Sequence, residues 1–319
     1  MQILKFGGSS LADAVAVQFV AQLVREYARN RETVVVCSAC AGVTDRLARV
    51  AQLVSAGSSA RALAEVSTLR SSHRALLASL SLGASASKRA GQANEAPSVE
   101  QELEELGACL QALVAGTALR NADAAWTDAV LSYGERASTR LVAHALRQAE
   151  VAAQAVEATR FLMTDNVFQN AAPLWEETRH RAQATLLPLI KRGIVPVVTG
   201  FIGATLSGEV TTLGRNSSDF SAAILADVLN AGEVWLWTDV DGIYDSDPRG
   251  PQESSDEVTV LESLTYDEAL RLAERGAKVL HPRTIEPLRQ KKIALRIRNT
   301  FRPEHPGTRI GPPARSITR

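Results

Sequence analysis

The stretch Lys5-Phe6-Gly7-Gly8-Ser9-Ser10 decides how this chain is read. Ahead of it, Met1 to Phe6 is loosely alternating and apolar, the pattern of a short strand. Beyond it, from Leu11, the apolar residues take helical spacing, with Val15, Phe19, Leu23 and Tyr27 recurring every four over Ala12 to Arg29. A strand, a glycine turn and a helix present backbone N–H groups to an anion, because the first amides of a helix are unpaired and its dipole is positive there. Glycines let the backbone approach oxygens that a Cβ would hold off. Lys5 adds a mobile positive charge. The stretch reads as a phosphate cradle or as an ordinary turn between strand and helix. It is not a Walker A loop, since the lysine precedes the glycines and no Gly-Lys-Ser/Thr follows.

Further along, Thr33 to Cys37 is a β-branched run without polar alternation, which predicts a strand buried on both faces. The small-residue loop Ser38 to Asp45 follows and reads either as room for a ligand or as a tight connection with Thr44 or Asp45 capping the next helix. Small side chains after a buried strand leave room for a ligand at the carboxyl end of a sheet. From about 47 to 121 the chain is rich in Ala, Leu, Ser and Glu and reads as a helical insertion, with Ser81 to Pro97 as a loop. It offers no chemistry, and His73 there is expected to be a surface or hydrogen-bonded histidine.

Gly134-Glu135 opens an alanine- and leucine-rich helix. A glutamate in that first turn is placed either to meet an ammonium group or to complement the helix dipole. Val151 to Ala155 reads as a strand, Trp175 to Lys191 as a helix, and Ile194 to Thr199 as a strongly apolar strand closed by Gly200-Phe201-Ile202-Gly203. After a short hairpin, Leu213-Gly214-Arg215-Asn216-Ser217-Ser218-Asp219 leads into a helix over Phe220 to Leu229. Arg215 is a fork-shaped donor suited to a carboxylate or a phosphate. Asp219 is placed to join it or to cap the helix. Val234 to Trp237 is a strand, and the acidic run Thr238 to Arg249 follows it. That run lacks the glutamate at the twelfth position that a calcium loop requires. Leu264 to Arg275 is amphipathic, Gly276 to Pro282 is a turn in which His281 has a structural place, and Thr284 to Gln290 is a short helix. Ile293 to Arg298 is the last expected strand, before a proline-rich tail that is expected to be loose.

The 319 residues suffice for one large α/β unit or two lobes with substantial cores, and 45% hydrophobic content suits a globular chain. Thirty-five basic residues balance 35 acidic ones, which argues against nucleic acid or a membrane surface as partner. The N-terminus runs straight into a strand with no signal-peptide pattern, and no apolar run approaches bilayer length. Three cysteines give no disulfide framework, so a cytoplasmic setting is expected. Cys37 and Cys40 form a C-x-x-C, read as small packing residues at a strand end rather than a redox pair.

Taken in order, the cradle, Ser38 to Asp45, Gly134-Glu135, Gly200 to Gly203, Leu213 to Asp219, Thr238 to Arg249 and Gly276 to Pro282 closely resemble the aspartate kinases of the amino-acid-kinase superfamily. The resemblance implies an α/β fold, a three-layer α/β/α sandwich with two lobes around a mainly parallel sheet. A catalytic domain would span 1–300, with an aspartate-binding lobe to about 205, a nucleotide-binding lobe over about 206–300, and a tail over 301–319. The implied reaction makes ADP and 4-phospho-L-aspartate from ATP and L-aspartate, with Mg²⁺ as cofactor and no dedicated protein metal site. By the same resemblance, Lys5, Phe6, Gly7, Gly8 and Ser9 face the phosphates, and Lys5 and Asp219 lie at the reacting groups. Thr44, Glu135, Phe201 and Arg215 hold aspartate, Glu135 through its ammonium and Arg215 through its α-carboxylate. Thr238, Asp239, Tyr244, Arg249, Lys278 and Val279 line the nucleotide site. A homodimer or a place in a larger fused enzyme is compatible with it.

Two departures stand out. The usual Gly-Arg-Gly-Gly-Ser-Asp loop has Asn216-Ser217 at its centre here, and Ser217 would be strained if that backbone needs positive φ. The paired regulatory ACT modules are not found in these residues, so feedback inhibition through them is not expected. Other kinases of the superfamily, acting on glutamate, acetylglutamate, carbamate or UMP, and a catalytically silent sensor remain the alternatives.

Overall fold

The computed structural model describes residues 1–82, 98–116, 122–245, 259–274 and 281–312. The stretch that opens the chain becomes the central strand of its sheet. β1 (Gln2–Phe6) pairs in parallel with β2 (Thr33–Cys37) on one side and β7 (Glu233–Thr238) on the other, Lys5 lying opposite Val36 and Leu236. Outside β2 lie β4 (Val195–Thr199) and β3 (Ala153–Val156), both parallel. Outside β7 lies β9 (Ala294–Asn299), parallel again, then β10 (Thr308–Ile310), antiparallel to β9, and β8 (Ser263–Leu264) at the edge. A separate antiparallel ribbon joins β5 (Ile202–Ala204) to β6 (Val210–Thr212).

Strand alternation sends the sheet's side chains into two cores. Leu4, Phe6, Val35, Cys37, Val197, Trp235 and Trp237 face one; Ile3, Val34, Val36, Val198, Val234, Leu236 and Ile297 face the other. Both faces are covered, which is why these strands read as continuous apolar runs. Over the first face pack α1 (Ala14–Ala28) and α6 (Tyr133–Gln148). Outside them come α2 (Val43–Ser55), α3 (Ser59–Leu82), α4 (Val99–Ala115) and α5 (Ala124–Leu131). The second face is covered by α7 (Trp175–Lys191), α8 (Ser218–Val228), α9 (Tyr266–Glu274) and α10 (Pro282–Lys291). Three layers result, as expected from the sequence. On the first face an aromatic stack runs through Phe6, Trp237 and Trp235, with ring centroids 6.2 and 5.9 Å apart. Burying each such large side chain contributes about 1.5–3 kcal/mol.

Several local expectations are corrected. The glycine turn does not feed α1 directly. A 3₁₀ turn over Ser9–Leu11 intervenes, and Asp13 caps α1 by accepting the Ala16 N–H at 2.9 Å. The dipole of α1 is therefore already met by a carboxylate. α2 begins at Val43, with Gly42 as its cap at φ 74°, so neither Thr44 nor Asp45 is the cap. The tail is not wholly loose, because Thr308–Ile310 fills a place in the sheet between β9 and β8. Of the two readings of His73 the hydrogen-bonded one holds: it is buried, with Nδ1 2.8 Å from the Leu69 carbonyl and its ring edge-on to Tyr133, and burial holds its pKa down. Of the loop expected over Ser81 to Pro97, residues 83–97 lie outside the described residues, while Ser81 and Leu82 close α3.

Candidate active site

The carboxyl ends of β1, β2, β4 and β7 open onto one cavity of about 1610 Å³, where a ligand of an open α/β sheet is expected to bind. Lys5, Gly7, Gly8, Ser9, Thr44, Glu135, Phe201, Arg215, Asp219, Thr238, Asp239 and Tyr244 all line it. Lys5 and Tyr244, 239 positions apart in sequence, thus meet in one place. Phe6 does not line it, because strand alternation turns its ring into the first core against Trp237. Arg249, Lys278 and Val279 lie outside the described residues.

At the end of β1, Lys5 points to the α8 side, where its Nζ meets Asp219 Oδ1 at 2.7 Å. Asp219 sits in the first turn of α8, whose cap is Ser217. The backbone of the glycine turn is only partly free. The Gly7 N–H donates to the Trp237 carbonyl at 3.2 Å, while the Gly8 and Ser9 N–H groups have no acceptor among the described residues. The donors this turn leaves over are those two amides.

Glu135 is held on the opposite wall in the first turn of α6, and it is only 3% exposed. One carboxylate oxygen, Oε1, accepts the Ala39 N–H at 3.0 Å, and the other, Oε2, has no partner among the described residues. Burial pushes this carboxyl up to about 8, against the pull of the Ala39 N–H and the Lys5 charge. Gly134 makes the placement possible, since a Cβ there would come within 2.7 Å of the Ala39 Cβ. The thiols of Cys37 and Cys40 behind the loop are buried; burial raises both, Cys40 to about 12, so they act as packing groups.

Arg215 stands exposed at the cavity with no hydrogen bond or ion pair among the described residues. Its loop resolves the question posed by Asn216-Ser217. Gly214 takes φ 98° and Asn216 φ 58°, while Ser217 sits at φ −90° and is unstrained. Gln169, Phe201 and Asn216 are left-handed non-glycine residues on the cavity wall. Such conformations cost on the order of 1–3 kcal/mol and persist where the surroundings impose them. The Phe201 N–H is tied to Ser221 Oγ at 2.9 Å and its carbonyl to the Leu213 N–H at 2.9 Å.

Two charged residues around the site escaped sequence reasoning. Asp128 on α5 is fully buried and accepts the Thr212 N–H at 2.8 Å, the Thr212 hydroxyl at 2.9 Å and the Gln169 N–H at 2.9 Å. Burial raises its pKa, and those three donors oppose the rise. Arg283 on α10 grips the same wall from the other side. Neither lies in a recognisable motif, and only an acid in a mainly apolar stretch, Trp126 to Leu131, hinted at the first. The acids of the Thr238–Arg249 run divide their work. Asp239 lines the cavity, whereas Asp241 accepts Asn299 Nδ2 at 2.8 Å and Arg302 Nη1 at 2.6 Å, anchoring the run to the end of β9.

The model of the amino acid kinase family matches residues 1–299. The chain belongs to the amino acid kinase family. Within that family it is 34% identical to the lysine-sensitive aspartokinase 3 of Escherichia coli over 309 residues, 97% of this chain and 63% of that protein. It is likewise 34% identical to the chloroplastic aspartokinase 1 of Arabidopsis thaliana over 317 residues, 97% of this chain and 51% of that protein. Among solved structures, E. coli aspartokinase III in complex with aspartate and ADP aligns with a TM-score of 0.85 at 32% identity, covering 99% of this chain and 65% of that one. The family fold extends further: an isopentenyl phosphate kinase aligns at TM-score 0.54 and 16% identity, covering 97% of this chain and 100% of that one. The chain thus spans between half and two thirds of the length of these two aspartokinases. No helix among the described residues is long and apolar enough to cross a membrane.

Proposed function

We propose that this chain carries an aspartate kinase activity, ATP plus L-aspartate giving ADP plus 4-phospho-L-aspartate, the entry to lysine, methionine and threonine synthesis. One observation carries the reading: a buried carboxylate with one oxygen free and a guanidinium unpaired among the described residues line the same cavity as the glycine turn and Lys5. Glu135 suits an ammonium, Arg215 an α-carboxylate, and Thr44 and Phe201 stand beside them on the wall. This points to an amino acid with both groups, and favours aspartate over acetylglutamate, carbamate or UMP.

The chemistry asks little of the protein beyond placement. The acceptor is the side-chain carboxylate of aspartate, ionised at neutral pH, so no general base is needed. One of its oxygens attacks the γ-phosphorus in line, and the bond to the β-phosphate oxygen breaks with its electrons staying on ADP. Lys5 and the Gly8 and Ser9 amides lie where the crowded oxyanions need positive charge. Asp219 orients the Lys5 ammonium through their ion pair. Mg²⁺ brought in with ATP would supply further positive charge at the phosphates. Among the described residues no group of three His, Cys, Asp or Glu side chains could hold a metal ion. Thr238, Asp239 and Tyr244 take the nucleotide side, with Arg249 and Lys278 assigned there by resemblance.

The same reading divides the chain into an aspartate lobe to about 205, a nucleotide lobe to about 300 and a tail. It also places the protein in the cytoplasm, where the unpaired Cys37, Cys40 and Cys109 stay reduced. Hydroxylamine trapping of the acyl phosphate with Mg-ATP tests the activity. Hydroxamate is expected with aspartate and not with glutamate, acetylglutamate, carbamate or UMP. Nucleotide binding with no acyl phosphate would instead support a silent sensor.

A further inference from the structure

We propose that Arg283 is the positioning residue that sets Arg215 for its substrate carboxylate, resting on the aspartate kinase reading above. Among the described residues its guanidinium makes three hydrogen bonds, all to residues directly behind the cavity-lining Gln169, Thr212 and Gly214. Nη1 donates to Asn170 Oδ1 at 2.8 Å and to the Leu213 carbonyl at 2.9 Å, and Nη2 donates to the Ala171 carbonyl at 3.0 Å. Its plane also lies over the Phe220 ring, 4.6 Å from the centroid, one residue beyond Asp219. A single side chain on α10 thus ties together the loop at 170–171, the end of the β6 segment and the first turn of α8.

Arg215 lies two residues after the gripped Leu213 carbonyl, and Gly214 between them is left-handed at φ 98°. A Cβ at Gly214 would come within 3.1 Å of Asn170 Oδ1 and 3.7 Å of Arg283 Nη1, so the turn rests directly on the Asn170–Arg283 contact. Arg215 has no partner of its own among the described residues to fix its base. Its direction is set by the turn it rides on. The other half of that wall is pinned by Asp128, through Thr212 and Gln169, and the Ala171 N–H donates to the Thr212 carbonyl at 2.9 Å. Arg283 and Asp128 therefore hold the same short segment from opposite sides. A planar fork with several donors suits this task, and lysine could not reproduce three directed bonds.

Arg283 touches no reacting atom, so its effect should pass through aspartate alone. The test is steady-state kinetics on R283M, N170A, R215A and the R215A/R283M pair, with thermal unfolding alongside. R283M is expected to raise the aspartate KM about tenfold or more while the ATP KM stays within about twofold. N170A removes one exposed acceptor without touching the core, and is expected to raise the aspartate KM by about twofold to fivefold. In the R215A background, R283M should add less than about twofold, because the residue it positions is already gone. The proposal is overturned if R283M raises both KM values alike, or if its effect is fully additive to R215A. Should R283M fail to fold, an unchanged aspartate KM in N170A would overturn it equally. A wild-type chain that phosphorylates no aspartate would instead remove the underlying function, which separates the two failures.

Discussion

Glu135 gives the sharpest physical test, and it needs no substrate. Its carboxyl is held at about 8, whereas an ordinary glutamate titrates at 4.5. The folded chain therefore keeps a proton between those values that the unfolded chain releases, so this residue makes stability fall as pH rises from about 4.5 to about 8. At 1.36 kcal/mol per pH unit, the full penalty for the buried charge is about 5 kcal/mol, reached above pH 8. Glu135→Gln keeps the shape and the acceptor for the Ala39 N–H but cannot ionise. Near pH 4.5 the variant and the wild type should unfold at similar denaturant concentrations. By pH 9 the variant should be more stable by several kcal/mol, read from urea unfolding curves across the range. A stability difference that does not change with pH would refute the burial argument. Aspartate reverses the balance, because its ammonium offers the free Oε2 a partner. At pH 7 its binding to the wild type should release protons, seen calorimetrically as a buffer-dependent heat, and the variant should bind aspartate weakly without that signal.

The other expectations concern the reaction and the strained loop. Lys5→Ala should lower kcat by about a hundredfold or more, on the order of 3 kcal/mol, with both substrates still bound in equilibrium assays. Asp219→Asn, which keeps the shape but loses the ion pair at 2.7 Å, should lower kcat by about tenfold or more; an unchanged kcat would remove Asp219 from the site. Asn216→Gly should be tolerated and Asn216→Val should destabilise by about 1 kcal/mol or more, since φ there is 58°; equal unfolding midpoints would contradict the left-handed turn.

Much of this was readable in the chain before any coordinates. β2 and α7 fall where the apolar runs end, because both have sharp boundaries in composition. The cavity gathers the glycine turn from the end of β1, Glu135 from the first turn of α6 and the Arg215 loop between β6 and α8. What could not be read depends on distance in space. The pairing of Lys5 with Asp219 spans two elements with no local sign of each other. Asp128 and Arg283 look like any charged residues on helices, and only tertiary contact turns them into anchors. Asp13 took the end of α1 that sequence had offered to an anion, and β10 was hidden because a three-residue strand among prolines leaves almost no periodic signal.

The Trp237 carbonyl holds the Gly7 N–H at 3.2 Å, and its indole stacks on Phe6, the residue just before that turn. A fluorophore is thus wired to the glycine segment through both backbone and ring. Light emitted from this part of the chain should shift whenever a nucleotide settles on the turn, giving the protein a native gauge of occupancy that needs neither label nor coupled enzyme.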